Sequence, residues 1–226
     1  MKQGLFGGTF NPVHNGHIKV ICHVKKVFCL DKIHVIPSAV PPHKTSVNLA
    51  SAKDRLEMVK CAIKDVPGLS ASDIELKRRG LSFTIDTIYQ FIKTSNNRQQ
   101  FCNSMSLTDR FYFIMGSDAF FDITTWKKNI EIFNLIPVIV MLRAGGKRNL
   151  NQIAYFIKDV ISKDYRYDEL TGSFINPGMG DVNICKVPAI ALSSTSIRKR
   201  VHQNLSISSM VPPCVEKIIR EKGLYL

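Results

Sequence analysis

Gly7-Gly8-Thr9-Phe10-Asn11-Pro12-Val13-His14-Asn15-Gly16-His17 lies between a short apolar segment, Gly4-Leu5-Phe6, and a run in which Ile18, Ile21, Val24 and Phe28 recur at helical spacing. The order is strand, glycine turn, helix. The glycines let the backbone approach a ligand closely, Thr9 offers a hydroxyl and an amide, and a helix opening just past Gly16 presents free N–H groups and a positive dipole end. This is the makeup of an anion site. His14 and His17 fall on one face once the first turn has begun, so both can donate to the same phosphate. A His-x-x-His pair also occurs in metal sites, but no third ligand or neighbouring glutamate supports a zinc hydrolase.

Downstream, strands and helices alternate. Lys32 to Pro37 reads as a second strand, followed by a helix with Leu56, Val59 and Ile63 on one stripe. Ser70 to Leu76 reads as a third strand, before a helix carrying Ile85, Ile88 and Ile92. Phe111 to Met115 and Val138 to Leu142 are further strands, with a short helical stretch around Asp118 to Phe121 between them. The pattern predicts an α/β fold, a parallel sheet with helices on both faces, in which ligands sit at the carboxyl ends of strands. Residues 94–109 and 145–181 are expected to be insertions decorating that sheet within a single domain spanning 1–226. A C-terminal helical part is expected over about 194–226, with a basic helix from Ser196 to His202 and a last helix opening at Pro212-Pro213.

Composition excludes several classes. With 45% hydrophobic and 22% charged residues, the 226-residue chain can fill a core and is not compositionally disordered. Its longest apolar run, Leu135 to Leu142 broken by Pro137, is far short of the ~18 residues that a membrane span requires. No secretory leader is apparent at the start, and the expected location is the cytoplasm. The cysteines form no Cys-x-x-Cys pair, which favours reduced thiols. A net charge of +13 favours anionic partners without choosing among them, and the basic residues are dispersed rather than gathered in one tract.

His14-Asn15-Gly16-His17 resembles the His-x-Gly-His motif of the nucleotidyltransferase superfamily. Further segments resemble the nicotinate-nucleotide adenylyltransferases within it. These are Pro41-Pro42-His43-Lys44, Leu81-Ser82-Phe83-Thr84-Ile85-Asp86-Thr87, Met115-Gly116-Ser117-Asp118 with Trp126-Lys127, and Leu192-Ser193-Ser194-Thr195-Ser196-Ile197-Arg198. They follow in the family's order, with Asn11 where aspartate is common and Phe83 in place of tyrosine. The resemblance implies a Rossmann-like doubly wound sheet. It also implies transfer of AMP from ATP to nicotinate mononucleotide, giving deamido-NAD and pyrophosphate in NAD biosynthesis.

By the same resemblance, ATP would be bound by Gly7, Gly8, Thr9, Phe10, His14, His17, Asp118, Ser194, Thr195 and Arg198. The mononucleotide would be bound by Lys44, Thr84 and Trp126, and the catalytic set would be His14, His17, Lys44 and Arg198. Mg2+ is expected to arrive on the phosphates, with no ligand from protein side chains. The substrates would be the only partners apart from a homo-oligomer, with neither nucleic acid nor membrane involved. The nearest rival is a nicotinamide-mononucleotide adenylyltransferase, and a basic nucleic-acid-binding module is the alternative from another class.

Overall fold

A computed structural model describes residues 1–41, 49–101, 109–146 and 148–226, with backbone alone at 96–101. β1 (Lys2–Gly8), α1 (Asn15–Val27), β2 (Lys32–Pro37), α2 (Ala52–Ile63) and β3 (Leu69–Ala71) form the first half. α3 (Thr84–Phe101), β4 (Arg110–Gly116), α4 (Ser117–Phe121), α5 (Asn129–Leu135) and β5 (Val138–Arg143) follow. The last part contains α6 (Leu150–Phe156), β6 (Arg166–Asp168), β7 (Ser173–Asn176), β8 (Met179–Val187), α7 (Ser194–His202) and α8 (Pro213–Glu221).

The strands form one sheet in the order β3-β2-β1-β4-β5-β8-β7-β6, parallel from β3 through β8 and antiparallel at the β6–β7–β8 edge. The chain moves outward from β1 to β2 and β3, then returns to the other side of β1 with β4. This reversal opens a crevice at the carboxyl ends of β1 and β4, where doubly wound sheets bind ligands. Strand residues alternate between two cores, as the two-residue period of a pleated strand requires. Phe6, Val35, Ile114 and Ile139 pack with α1, α2, α7 and α8, while Leu5, Ile36, Phe113 and Val138 pack with α3 to α6.

Two expectations are corrected. β3 ends at Ala71 rather than running to Leu76, because residues 74–77 turn and carry Glu75 inward against Thr87. Residues 145–181 extend the sheet instead of only decorating it; they contribute β6, β7 and the first residues of β8, whose remainder, Val182–Val187, pairs with β5. Gly180 allows that pairing, since a Cβ there would lie 2.7 Å from the carbonyl of Ile136. The expected insertion at 94–109 begins as a continuation of α3 as far as Phe101, and residues 102–108 lie outside the described residues.

The C-terminal helices form where the sequence signals place them. Ser193 caps α7 by accepting from the Ser196 amide, and Pro213 starts α8, whose Val215, Ile218 and Ile219 are buried. Lys222 at the end of α8 then bonds to Asp54 and Glu57 of α2 at 2.7 and 2.6 Å. Among the described residues, no helix is long and apolar enough to cross a membrane.

Candidate active site

The turn after β1 is built from reciprocal contacts. His14 is the N-cap of α1, and its Nδ1 accepts from the His17 amide at 3.3 Å, while His17 Nδ1 accepts from the His14 amide at 3.2 Å. The imidazoles stack, with centroids 3.7 Å apart. Because each Nδ1 is an acceptor, each neutral ring carries its proton on Nε2, so both rings have the same donor geometry. Burial, followed by the charge of the nearby Arg143 guanidinium, lowers the His14 pKa to about 4. The neutral form of His14, with its proton on Nε2, is therefore the favoured one. His17 is the more accessible of the pair.

Behind these rings the chain is tied down. Arg55, on α2 and fully buried, donates to the carbonyls of Ala50 (2.9 Å), Thr9 (2.8 Å), Ser38 (2.6 Å) and Ala39 (3.1 Å). One planar guanidinium thus joins the ends of β1 and β2. Asn11 Oδ1 accepts from the Ala50 amide at 3.0 Å and from the Tyr225 hydroxyl at 2.9 Å. α7 closes on the same loop, with Ser194 Oγ donating to the Pro12 carbonyl at 2.9 Å and Arg198 Nη1 to the Asn11 carbonyl at 2.9 Å. Arg198 also reaches Thr195 Oγ1 at 3.4 Å. Segments far apart in sequence, the first glycine turn and the N-terminus of α7, therefore form one cationic, donor-rich corner.

Beside it, at the β1/β4 crevice, is a cavity of about 370 Å3. Gly7 and Gly116 form part of its floor, and at both positions a Cβ would project into open space, so the bare backbone leaves room for a ligand. Phe83, Thr84, Trp126 and Lys127 also line it. Lys127 donates to Asp86 of α3 (3.1 Å) and sits 4.8 Å above the Phe83 ring. Ser82 Oγ accepts from the amides of Ala39 and Val40, joining the segment after β2 to the start of α3.

The sequence-derived set is partly assembled. Gly7, Gly8, Thr9, Thr84 and Trp126 line the cavity, while His14, His17, Ser194, Thr195 and Arg198 form the adjoining corner. The Phe10 side chain is buried below Gly8 and edge-on to His17, which leaves only its backbone for a ligand. Asp118 is exposed in the first turn of α4 and does not line the cavity. Lys44 lies outside the described residues. Sequence reasoning missed Arg55 and Glu75, which act through contacts between separate segments, and Arg143, whose charge is felt at His14.

Comparison with known proteins places this geometry. The cytidylyltransferase-like family model matches residues 5–200, the span that holds both the glycine turn and the α7 corner. A probable nicotinate-nucleotide adenylyltransferase of Caldicellulosiruptor bescii is 39% identical over 225 residues, covering 100% of this chain and 99% of the relative. One of Desulfatibacillum aliphaticivorans is 34% identical over 238 residues, with both chains covered in full. The chain belongs to the nicotinate-nucleotide adenylyltransferase family.

The fold agrees with solved structures. The Plasmodium falciparum nicotinic acid mononucleotide adenylyltransferase complexed with NaAD superposes with a TM-score of 0.72 at 17% identity, covering 99% of this chain and 97% of that one. For a nucleotidyltransferase of this family the protein side of any metal site matters. Among the described residues no group of three or more His, Cys, Asp or Glu converges, and both histidine Nδ1 atoms are engaged by backbone amides. The Nε2 atoms of both rings are thereby left for a ligand.

Proposed function

We propose that the chain transfers AMP from ATP to nicotinate mononucleotide, releasing pyrophosphate and deamido-NAD. The observation that carries this reading is the adjacency of a glycine-floored cavity with an aromatic wall to a corner of neutral and cationic donors. An oxygen of the mononucleotide's 5′-phosphate attacks the α-phosphorus of ATP, and the bond from that phosphorus to the bridging oxygen breaks, so the electron pair leaves with pyrophosphate. The nucleophile belongs to the substrate. The protein's task is to align two anions in line and to stabilise charge on the α-phosphate and the leaving group.

In this reading, Nε2–H of His17 donates to the α-phosphate. His14 holds that ring in register by stacking and capping, and Arg198 presents its guanidinium to the β- and γ-phosphates. Trp126 packs on the pyridine ring opposite Thr84. Mg2+ would neutralise phosphate charge as a passenger on ATP, in keeping with its preference for phosphate and water oxygens. The ATP-dependent reaction fits a cytoplasmic enzyme.

The test is pyrophosphate release with ATP and Mg2+ against nicotinate mononucleotide, nicotinamide mononucleotide and phosphopantetheine in parallel. Turnover with the first alone is expected. Comparable turnover with the amide would refute the acid preference, and no turnover with any acceptor would refute the reaction.

A further inference from the structure

Away from the β1/β4 crevice, α2 and α8 pack against each other in a fixed register. Lys222, the C-cap of α8, donates to Asp54 and Glu57 in the first half of α2 at 2.7 and 2.6 Å. Eight residues back along α8 is Cys214, and seven residues on along α2 is Cys61. Those steps are about 12 and 10.5 Å at the helical rise, so two turns beyond the ion pair the antiparallel helices bring the two cysteines level. There the thiols hydrogen-bond to each other, both free and both half-buried. Cys61 also donates to the Met58 carbonyl of its own helix at 3.3 Å. Among the described residues no other two thiols are paired in this way, and neither Cys61 nor Cys214 lines the cavity.

We propose that Cys61 and Cys214 are a modification site, a thiol pair that closes reversibly into a disulfide under oxidising conditions and fastens α8 to α2. A disulfide needs two sulfurs brought together by the backbone, and this helix pair supplies that without a sequence signal such as Cys-x-x-Cys. Partial exposure admits a small oxidant, here a low-molecular-weight disulfide such as glutathione disulfide. Burial first, and then the neighbouring Cys214, hold the Cys61 thiol well above the ordinary range, so exchange begins at Cys214. The Cys214 thiolate attacks one sulfur of the oxidant and expels one glutathione, leaving a mixed disulfide. Cys61, relieved of the thiol beside it, then loses its proton and displaces the second glutathione from Cys214. Two S–H bonds are lost and one S–S bond forms, and the two electrons and two protons leave on the two glutathione thiols.

The cross-link spans about 150 residues, a loop long enough for a large effect on the unfolded chain. It also joins two braces of the glycine turn. α2 carries Arg55, which holds the Thr9 carbonyl, and α8 leads into Tyr225, which donates to Asn11.

The test incubates the folded, full-length protein with glutathione disulfide, alkylates it, digests it without reduction and maps the peptides by mass spectrometry, with urea unfolding on the same samples. The main product should be a monomer two hydrogens lighter, with positions 61 and 214 linked and the link reversed by dithiothreitol. Its urea midpoint should lie roughly 1 M above that of the reduced protein. The oxidant should not move the midpoint of Cys214→Ser.

A glutathione adduct that persists at either position would mean that the sulfurs cannot reach each other, and would overturn the proposal. Free thiols at 61 and 214 alongside modification of the exposed Cys29 would overturn it as well. The wild-type peptide map decides both even if Cys214→Ser fails to fold. A cross-linked protein with an unchanged midpoint would refute the fastening of α8. Thiol exchange involves neither ATP nor the mononucleotide, so these outcomes are independent of the reaction proposed above.

Discussion

The pKa of His14 makes folding stability depend on pH in a way that can be isolated. In the unfolded chain this imidazole titrates at its ordinary 6.5, and in the folded protein at about 4. Between those values the unfolded state binds the extra proton, so the associated stability is complete above pH 6.5 and is lost as pH falls toward 4. At 1.36 kcal/mol per pH unit, the depression corresponds to about 3 kcal/mol in all, of which about 2 kcal/mol disappears between about pH 7.5 and 5. His14→Asn is the matching perturbation, because asparagine is a good N-cap and can accept from the His17 amide without titrating. Urea unfolding at the two pH values measures the effect. With an m-value near the upper end of the 1–3 kcal/mol per molar range, the wild-type midpoint should fall by roughly 0.7–1 M more than that of His14→Asn. Histidines away from the His14–His17 stack are common to both proteins and cancel. Equal pH slopes would refute the buried neutral imidazole that caps α1.

His17→Ala is expected to lower kcat by about 100- to 1000-fold while the ATP Kd changes little, as for loss of one donor that matters mainly in the transition state; near-normal turnover in a quench-flow or pyrophosphate assay would remove that role. Trp126→Ala should raise KM for nicotinate mononucleotide at least tenfold more than KM for ATP if the ring stacks on the pyridine, and equal changes would mark it as a packing residue. Arg55→Met removes one cation from four carbonyls at 2.6–3.1 Å. The recovered cost of burying the charge offsets part of that loss, and a net destabilisation on the order of 3–5 kcal/mol should appear in chemical denaturation. A loss below about 1 kcal/mol would mean that water replaces the guanidinium.

What could be read in sequence was what local chemistry controls. The glycine turn, the His14/His17 pair and the Ser193–Arg198 segment each carry their signal in adjacent residues, and the parallel strands β1 to β5 followed from apolar runs alternating with helical stripes. β8 was missed because its inward residues Val182, Cys185 and Val187 are separated by polar or half-buried ones, and its pairing depends on Gly180 passing the Ile136 carbonyl. Glu75 and Arg55 look like surface charges in sequence, and only the fold buries them.

Asn11 shows how far the two kinds of information reach. In the sequence it stands out only as a departure from a common aspartate. In the fold it joins three distant segments, holding Ala50 and Tyr225 through its side chain and Arg198 through its carbonyl. A carboxylate could accept the same two side-chain hydrogen bonds, but it would place an anion beside Arg198 and weaken that cation's pull on phosphate. The neutral amide keeps the hydrogen-bond geometry without adding a negative charge to the corner. Tyr225 also lies beyond the residues 5–200 matched by the family model. The last turn of the chain therefore braces the first loop of the site, a contact for which neither local spacing nor the family motifs carry a signal.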